Sequence, residues 1–298
     1  MRENSAAIQP RDLLFELLQP SRLTAVVDIG ANPIDGDPPY KGMLGKGLCT
    51  IVGFEPQESA LALLNQRKGP RETYLPYAVG DGAPCTLHVC RAPGMTSLLK
   101  PDVHMLSLFH LFSDFGAVVS EELVATRRLD EIVEIDALDF LKIDVQGSEL
   151  QVFRAGRQKL AHAVAIHTEV SFLPLYENQP LFGEIDQELR SQGFVPHAFA
   201  DMKRWAIAPL VVNGDPRQAL NQLLEADIVY VRDFSRPDGL TDEQLKHLTL
   251  IAHHCYGSFD LALKCLLLLK QRGTLGKGEE QRYLRLLEAE VISPKRNA

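Results

Sequence analysis

Val26-Val27-Asp28-Ile29-Gly30-Ala31-Asn32 and, further on, Ile51-Val52-Gly53-Phe54-Glu55-Pro56 read as two strand ends built to one plan. In the first, an apolar β-branched pair runs into Asp-x-Gly-x-Asn. That pattern suits a buried parallel strand stopping at a tight turn, where glycine lets another backbone come close. The second closes on an acid. Glu55 follows Gly30 at close to the roughly 20-residue offset at which an acidic side chain meets ribose hydroxyls in nucleotide-binding α/β folds. Together the two ends imply an adenosine-containing cofactor. Taken singly, each has a plainer use: Asp28 and Asn32 as caps of the next helix, Glu55 on a solvated turn.

The first loop decides which cofactor. A dinucleotide needs Gly-x-Gly-x-x-Gly, so that backbone N–H groups reach a pyrophosphate at a helix N-terminus. Here Gly30 is followed by Asn32, Pro33 and the acids Asp35 and Asp37, which repel phosphate. A nicotinamide-dependent oxidoreductase is disfavoured on that ground. S-adenosylmethionine carries a sulfonium and an ammonium group and no phosphate, so nearby carboxylates favour it. The expected cofactor set is Asp28, Gly30, Ala31, Asn32, Glu55 and Pro56, with Ala78 and Val79 at the end of the third strand, and Asp144.

Phe140-Leu141-Lys142-Ile143-Asp144-Val145-Gln146-Gly147-Ser148-Glu149 is a third apolar strand that ends in an acid, passes a Gly turn and enters a helix through Leu150, Val152 and Phe153. With all three segments in order, the chain resembles the FkbM family of S-adenosylmethionine-dependent methyltransferases. That family carries an Asp-x-Gly-Ala-Asn loop, a Phe-Glu-Pro strand end and a Lys-Ile-Asp-Val-Glu-Gly-x-Glu segment. The resemblance spans residues 24–235, with two departures: Gln146 stands where the family has Glu, and Pro33 to Lys41 is a longer Pro-rich insert. It implies a class I methyltransferase fold, a doubly wound Rossmann-like α/β sheet, and O-methylation of a sugar, glycan or natural product.

Composition agrees with an enzyme of this kind. Of 298 residues, 45% are hydrophobic, enough for a substantial core, and the net charge of −8 gives no general attraction for nucleic acid or anionic membrane. No apolar run approaches the 18 or so residues of a membrane span. No signal-peptide pattern is evident, because charges and Pro10 interrupt the N-terminus. Five cysteines without a CxxC pair point to reduced thiols and a cytoplasmic location.

The pattern divides the chain into an N-terminal helix (1–23, its helix from Asp12 to Gln19), a methyltransferase domain (24–236) and a helical extension (237–298). Strands are expected at Ala25 to Ile29, Thr50 to Phe54, Thr73 to Val79, Thr86 to Cys90, Leu138 to Asp144, Val164 to Val170, Phe194 to Phe199 and Asp227 to Val231. Pro93 to Glu122 breaks the α/β rhythm and is expected to form a lid over the acceptor, or a helical insertion on the sheet edge. Its Phe109, Phe112 and Phe115, with Phe172 and Tyr176, suit either a sugar-stacking rim or a core. Thr241-Asp242-Glu243-Gln244 is a capping box opening the first of three C-terminal helices, the last ending near Val291, which offer a surface for homo-oligomers. His253-His254-Cys255 is unsuited to metal, since adjacent helical residues point about 100° apart.

Methyl transfer to a hydroxyl needs an in-line arrangement and a destination for the proton, and a positioned base contributes roughly 10² to 10⁴ in rate. Such groups sit at the carboxyl ends of parallel strands. Glu169 is the expected base or hydrogen-bond anchor, with His167 sharing its strand face by the period of two. Asp144 lines the pocket and Lys142 gives electrostatic support, or the two form a simple ion pair. No metal is assigned to these residues, and a cofactor-binding module without turnover is the non-enzymatic alternative.

Overall fold

The β-branched and apolar runs become the strands of a seven-stranded sheet in the computed structural model, which describes residues 12–32 and 36–288. In chain order the strands are β1 (Thr24–Ile29), β2 (Cys49–Phe54), β3 (Glu72–Leu75), β4 (Ala78–Gly80), β5 (Pro84–Cys90), β6 (Val118–Arg128), β7 (Phe140–Ile143), β8 (Ala165–Ser171), β9 (Phe194–Trp205) and β10 (Gln222–Arg232). The large sheet has the order β3-β2-β1-β7-β8-β10-β9. Pairs β2/β3, β1/β7 and β7/β8 are parallel, while β10 runs antiparallel to both β8 and β9. From β1 the chain winds outward to β3 and later returns to β7 on the other side of β1. The reversal places a topological switch point at the carboxyl ends of β1 and β7, where doubly wound sheets bind ligands.

One expected strand and the expected lid change in the structure. Thr73 to Val79 is not one strand: Pro76 has no N–H, the ladder with β2 ends at Phe54↔Leu75, and Ala78–Gly80 joins β6 in a separate three-stranded sheet of order β4-β6-β5. The expected lid is likewise cut short, because Val118 to Glu122 belongs to β6, which pairs antiparallel with β5. Most of β6 is exposed, so burial imposes no alternation on its sequence.

Among the described residues, 25–32, 36–37 and 51–233 form one compact unit, and 12–24, 38–50 and 234–288 a second. The first unit's core lies along the sheet, where Val27, Ile29, Leu141, Ile143, Val152, Phe153, Ile166, Phe194 and Ile228 are buried together. Burying each such side chain contributes about 1.5–3 kcal/mol relative to leaving it exposed. In the second unit the expected helix appears at Leu13–Leu18, with Asp12 accepting from the Phe15 N–H at 3.0 Å. The capping box is formed as read: the Gln244 N–H donates to Thr241 Oγ1 at 3.2 Å and the Thr241 N–H to Gln244 Oε1 at 2.9 Å, opening helix Asp242–Tyr256. Helices Phe259–Gln271 and Glu279–Leu287 follow, and Val291 lies outside the described residues. His253, His254 and Cys255 diverge toward Tyr283, Asp12 and Met43 respectively. All five cysteines are free. Among the described residues no helix is long and apolar enough to cross a membrane.

Candidate functional site

At the switch point, Asp144 N–H donates to Ile29 O at 3.0 Å, bringing the ends of β7 and β1 together. Gly30 then turns with φ +77°, and a Cβ there would lie 2.0 Å from Asp144 O. Only glycine satisfies both conditions. The N–H groups of Gly30 and Ala31 each donate to Phe54 O at 3.1 Å, fastening the loop to the end of β2. Glu55, next in chain, is buried and its Oε1 accepts from the Gln57 N–H at 2.8 Å. Burial raises the proton affinity of Glu55, and the Asp28 charge adds to the effect.

Lys142 stands beneath this loop. Its Nζ donates to Gly30 O at 3.1 Å and lies 3.4 Å from Asp28 Oδ1, so its partner is Asp28, not the Asp144 of a simple neighbouring pair. Burial alone would favour the neutral amine, but Asp28 foremost, then Asp144, hold it charged and raise its pKa. Asn32 and Pro56 are half-buried beside these residues in sequence, Ala78 and Val79 are buried in β4 with Val79 in the core, Asp37 is exposed, and Asp35 lies outside the described residues.

Strand register carries this chemistry across the sheet. Asp28 pairs with Lys142, Lys142 with His167, and His167 with Val229, so these four share one face. One step nearer the carboxyl edge, Glu169 pairs with Asp227, and Glu225 with both Ser171 and Lys203. Glu169 Oε1 accepts from Lys203 Nζ at 2.8 Å, and Lys203 is 3.6 Å from Glu225 Oε2. His167 Nε2 is 3.7 Å from Asp227 Oδ1. Burial, then Glu225 and Asp144, raise the Glu169 pKa well above the ordinary carboxylate range, with Lys203 opposing. Desolvation opposes ionisation of Asp227, yet its hydrogen bond to His167 lowers its pKa on balance.

The turn after β7 joins the two halves. Gln146 (φ +55°) sends its Nε2 to Asp144 Oδ1 at 2.8 Å and to Glu169 Oε2 at 2.7 Å. Glu149 folds back to accept from the N–H groups of Val145 and Gly147, each at 3.0 Å, and burial pushes its pKa up to about 7. At Gly147 (φ +105°) an added Cβ would meet Gln179 and Leu99 at 3.0 Å. Over this turn sits the segment between β5 and β6, whose Met95, Leu106, Phe109 and Phe112 cluster with Leu175, Tyr176 and Leu224. Phe109, Phe112 and Tyr176 are buried there, while Phe172 and Phe115 are partly buried, so these aromatics build a core and not a rim.

The structure thus gathers Asp28, Gly30, Ala31, Glu55, Lys142, Asp144, His167 and Glu169 at one edge of the sheet. It adds Lys203, Glu225 and Asp227, which the sequence reading left out, and gives Gln146 and Tyr176 polar contacts that the sequence reading did not assign them. In Leu224-Glu225-Ala226-Asp227-Ile228 the acids alternate with apolar residues, a sign of charge on one strand face; for Lys203 no such sign exists. Six carboxylates (Asp28, Glu55, Asp144, Glu169, Glu225, Asp227) face two lysines, an excess of negative charge suited to a ligand with cationic groups and hostile to phosphate.

The family model of the methyltransferase FkbM domain matches residues 28–196, more than half of the chain. The chain belongs to the FkbM methyltransferase family. It is an S-adenosylmethionine-dependent methyltransferase, and the donor set fits that cofactor: a close-approach glycine, a buried acid closing β2 and no phosphate cradle. The chain is 28% identical over 175 residues to the 2-O-methyltransferase NoeI of Sinorhizobium fredii (strain NBRC 101917 / NGR234), a match covering 54% of this chain and 69% of that protein. Solved structures similar to it include magnesium protoporphyrin IX methyltransferase from Synechocystis PCC 6803 with bound SAM, at 11% identity and a TM-score of 0.36, covering 74% of this chain and 76% of that one. Precorrin-6y C5,15-methyltransferase from Geobacter metallireducens GS-15 matches at 10% identity and a TM-score of 0.33, covering 74% and 85%.

Proposed function

We propose that this family member is an O-methyltransferase whose acceptor is a hydroxyl of a sugar, glycan or natural product. The observation that carries the reading is the buried carboxylate Glu169, held between Lys203 and Gln146 beside the cofactor loop. When bound, S-adenosylmethionine supplies an electrophilic methyl group on sulfur. Methyl transfer from the bound sulfonium to the acceptor oxygen would release the neutral thioether, S-adenosylhomocysteine, and Glu169 would take the hydroxyl proton. An ionised carboxylate offers about four lone-pair sites, so the two hydrogen bonds Glu169 already accepts leave room for an incoming O–H. Its raised proton affinity makes it a better base than an exposed carboxylate. The 2-O-methyltransferase among the relatives favours oxygen as the accepting atom. Transfer of tritiated methyl from S-adenosylmethionine to nucleotide-sugars, glycans and hydroxylated small molecules tests the assignment; labelling confined to amines or carbon centres would refute it.

Cofactor contacts follow from the same geometry. Asp28 meets the methionine end and Glu55 the ribose hydroxyls. Charge-assisted hydrogen bonds contribute about 1.5–3 kcal/mol, so Asp28→Asn and Glu55→Gln are each expected to weaken S-adenosylmethionine at least tenfold in calorimetry. Unchanged affinity in both folded variants would reject these contacts.

Glu169 is only 4% exposed and the Met95–Phe115 segment covers the turn beside it, so the acceptor enters when that segment moves. Residues 93–117 are therefore proposed as the lid. Hydrogen exchange there is expected to slow with S-adenosylhomocysteine and a turned-over acceptor bound. Equal exchange with and without ligands would make the segment fixed packing.

A further inference from the structure

The Gln146 side chain makes three directed contacts at the site. Both N–H bonds of its amide are used, one on Asp144 Oδ1 at 2.8 Å and one on Glu169 Oε2 at 2.7 Å. Its Oε1 is 3.1 Å from Tyr176 OH, and its backbone O accepts from Ser97 Oγ at 2.7 Å. Ser97 lies in the covering segment, and Tyr176, after β8, lies with its OH 3.2 Å from Met95 O of that segment. The left-handed backbone at φ +55° is what turns the amide inward between the two strand ends. Two donors and one acceptor on a single planar group are the property of a carboxamide, and no other side chain of this length supplies them.

We propose that Gln146 is a positioning residue that holds the Asp144 and Glu169 carboxylates side by side and ties them to the lid. The proposal rests on the reading of Glu169 as the acceptor base. The charged and titratable groups facing the amide and its two carboxylates are Lys142 on β7 and Asp144 at its end, Glu149 after the turn, Glu169 and His167 on β8, Lys203 on β9, Glu225 and Asp227 on β10, and Tyr176 after β8. Lys142 and Lys203 neutralise only part of this charge. A glutamate in place of Gln146 would set oxygen against oxygen at both contacts, and a proton on it would relieve one of them. Through Tyr176 and Ser97, the orientation of the base is coupled to closure of the lid.

The test compares the full-length chain with Gln146→Glu and Gln146→Leu. Without any acceptor, the thermal midpoint of Gln146→Glu relative to the parent is followed from pH 5 to pH 8. The sign follows from linkage. The new carboxyl has a folded pKa raised above its unfolded value of about 4.3, so stability is lost as pH rises from there through the folded pKa. The gap is expected to be smallest near pH 5 and to widen by about 3 °C or more toward pH 8. A gap independent of pH would overturn the proposal, since the amide would then not be meeting charged carboxylates. In turnover, Gln146→Leu is expected to lower kcat roughly 10- to 100-fold with S-adenosylmethionine affinity changed less than about threefold. Gln146→Glu should move the acidic limb of the pH profile upward. An unmoved limb while Glu169→Gln is impaired rejects the positioning role. An unmoved limb with Glu169→Gln fully active rejects the base reading instead, and the widening stability gap would still support the hydrogen-bonded hub.

Discussion

Glu169→Gln is expected to lower methyl transfer by roughly 10² to 10⁴ while leaving S-adenosylmethionine affinity within a few-fold of the parent. The change is nearly isosteric, and the surroundings can absorb it. With the new amide oxygen accepting from Gln146, the new NH2 faces Lys203 Nζ, which must turn toward Glu225, 3.6 Å away, so no lysine is left without an acid. What is lost is the site that takes the hydroxyl proton. The parent's rate should rise with pH through the ionisation of Glu169, and burial with the Glu225 and Asp144 charges places that limb above the ordinary carboxylate range. The limb should vanish in the variant. Single-turnover rates across pH, with cofactor affinity measured by calorimetry, separate a lost base from a distorted site. Turnover within a few-fold of the parent would leave positioning alone as the source of catalysis, with His167 or Asp144 next to be tested.

The sequence makes the cofactor half of this site legible and the acceptor half much less so, for a physical reason. Asp28, Gly30 and Glu55 sit at the ends of buried parallel strands, where continuous apolar runs end sharply and the following acid or glycine stands out. Lys142, Asp144 and Glu149 lie in one such unbroken segment. Lys203, Glu225 and Asp227 come instead from an antiparallel hairpin near the far edge of the sheet. Their relation to Glu169 is fixed by register, Glu169↔Asp227 and Glu225↔Lys203, which no local pattern encodes. Gln146 shows the opposite difficulty. Its position is local and was read, but its role depends on three partners from separate elements. The aromatic residues of the lid were open to two uses in the sequence, and burial of Phe109, Phe112 and Tyr176 decides for a core.

The close approach at the switch point sets up the other large effect. Gly30→Ala places a methyl group 2.0 Å from Asp144 O, a backbone atom that cannot swing aside, at a residue whose φ of +77° already disfavours any L side chain. Relief requires separating the ends of β1 and β7. That breaks the Asp144 N–H to Ile29 O bond, draws Gly30 O from Lys142, and shifts Asp28 and Asp144 at once. The expected outcome is a loss of S-adenosylmethionine affinity of about 100-fold or more, or failure to fold; a thermal melt distinguishes the two. Gly183→Ala, on an open helix face with nothing within 4 Å of the added atom, should leave affinity and melting point unchanged and serves as the control. Gly53→Ala falls between them, since the new methyl meets the Tyr74 ring at 2.4 Å, and an aromatic side chain can give where a backbone carbonyl cannot. Measured cofactor affinity should therefore fall in the order Gly183→Ala, Gly53→Ala, Gly30→Ala. Gly30→Ala binding as tightly as the parent would mean that the closeness of the β1 and β7 ends does not shape the cofactor pocket.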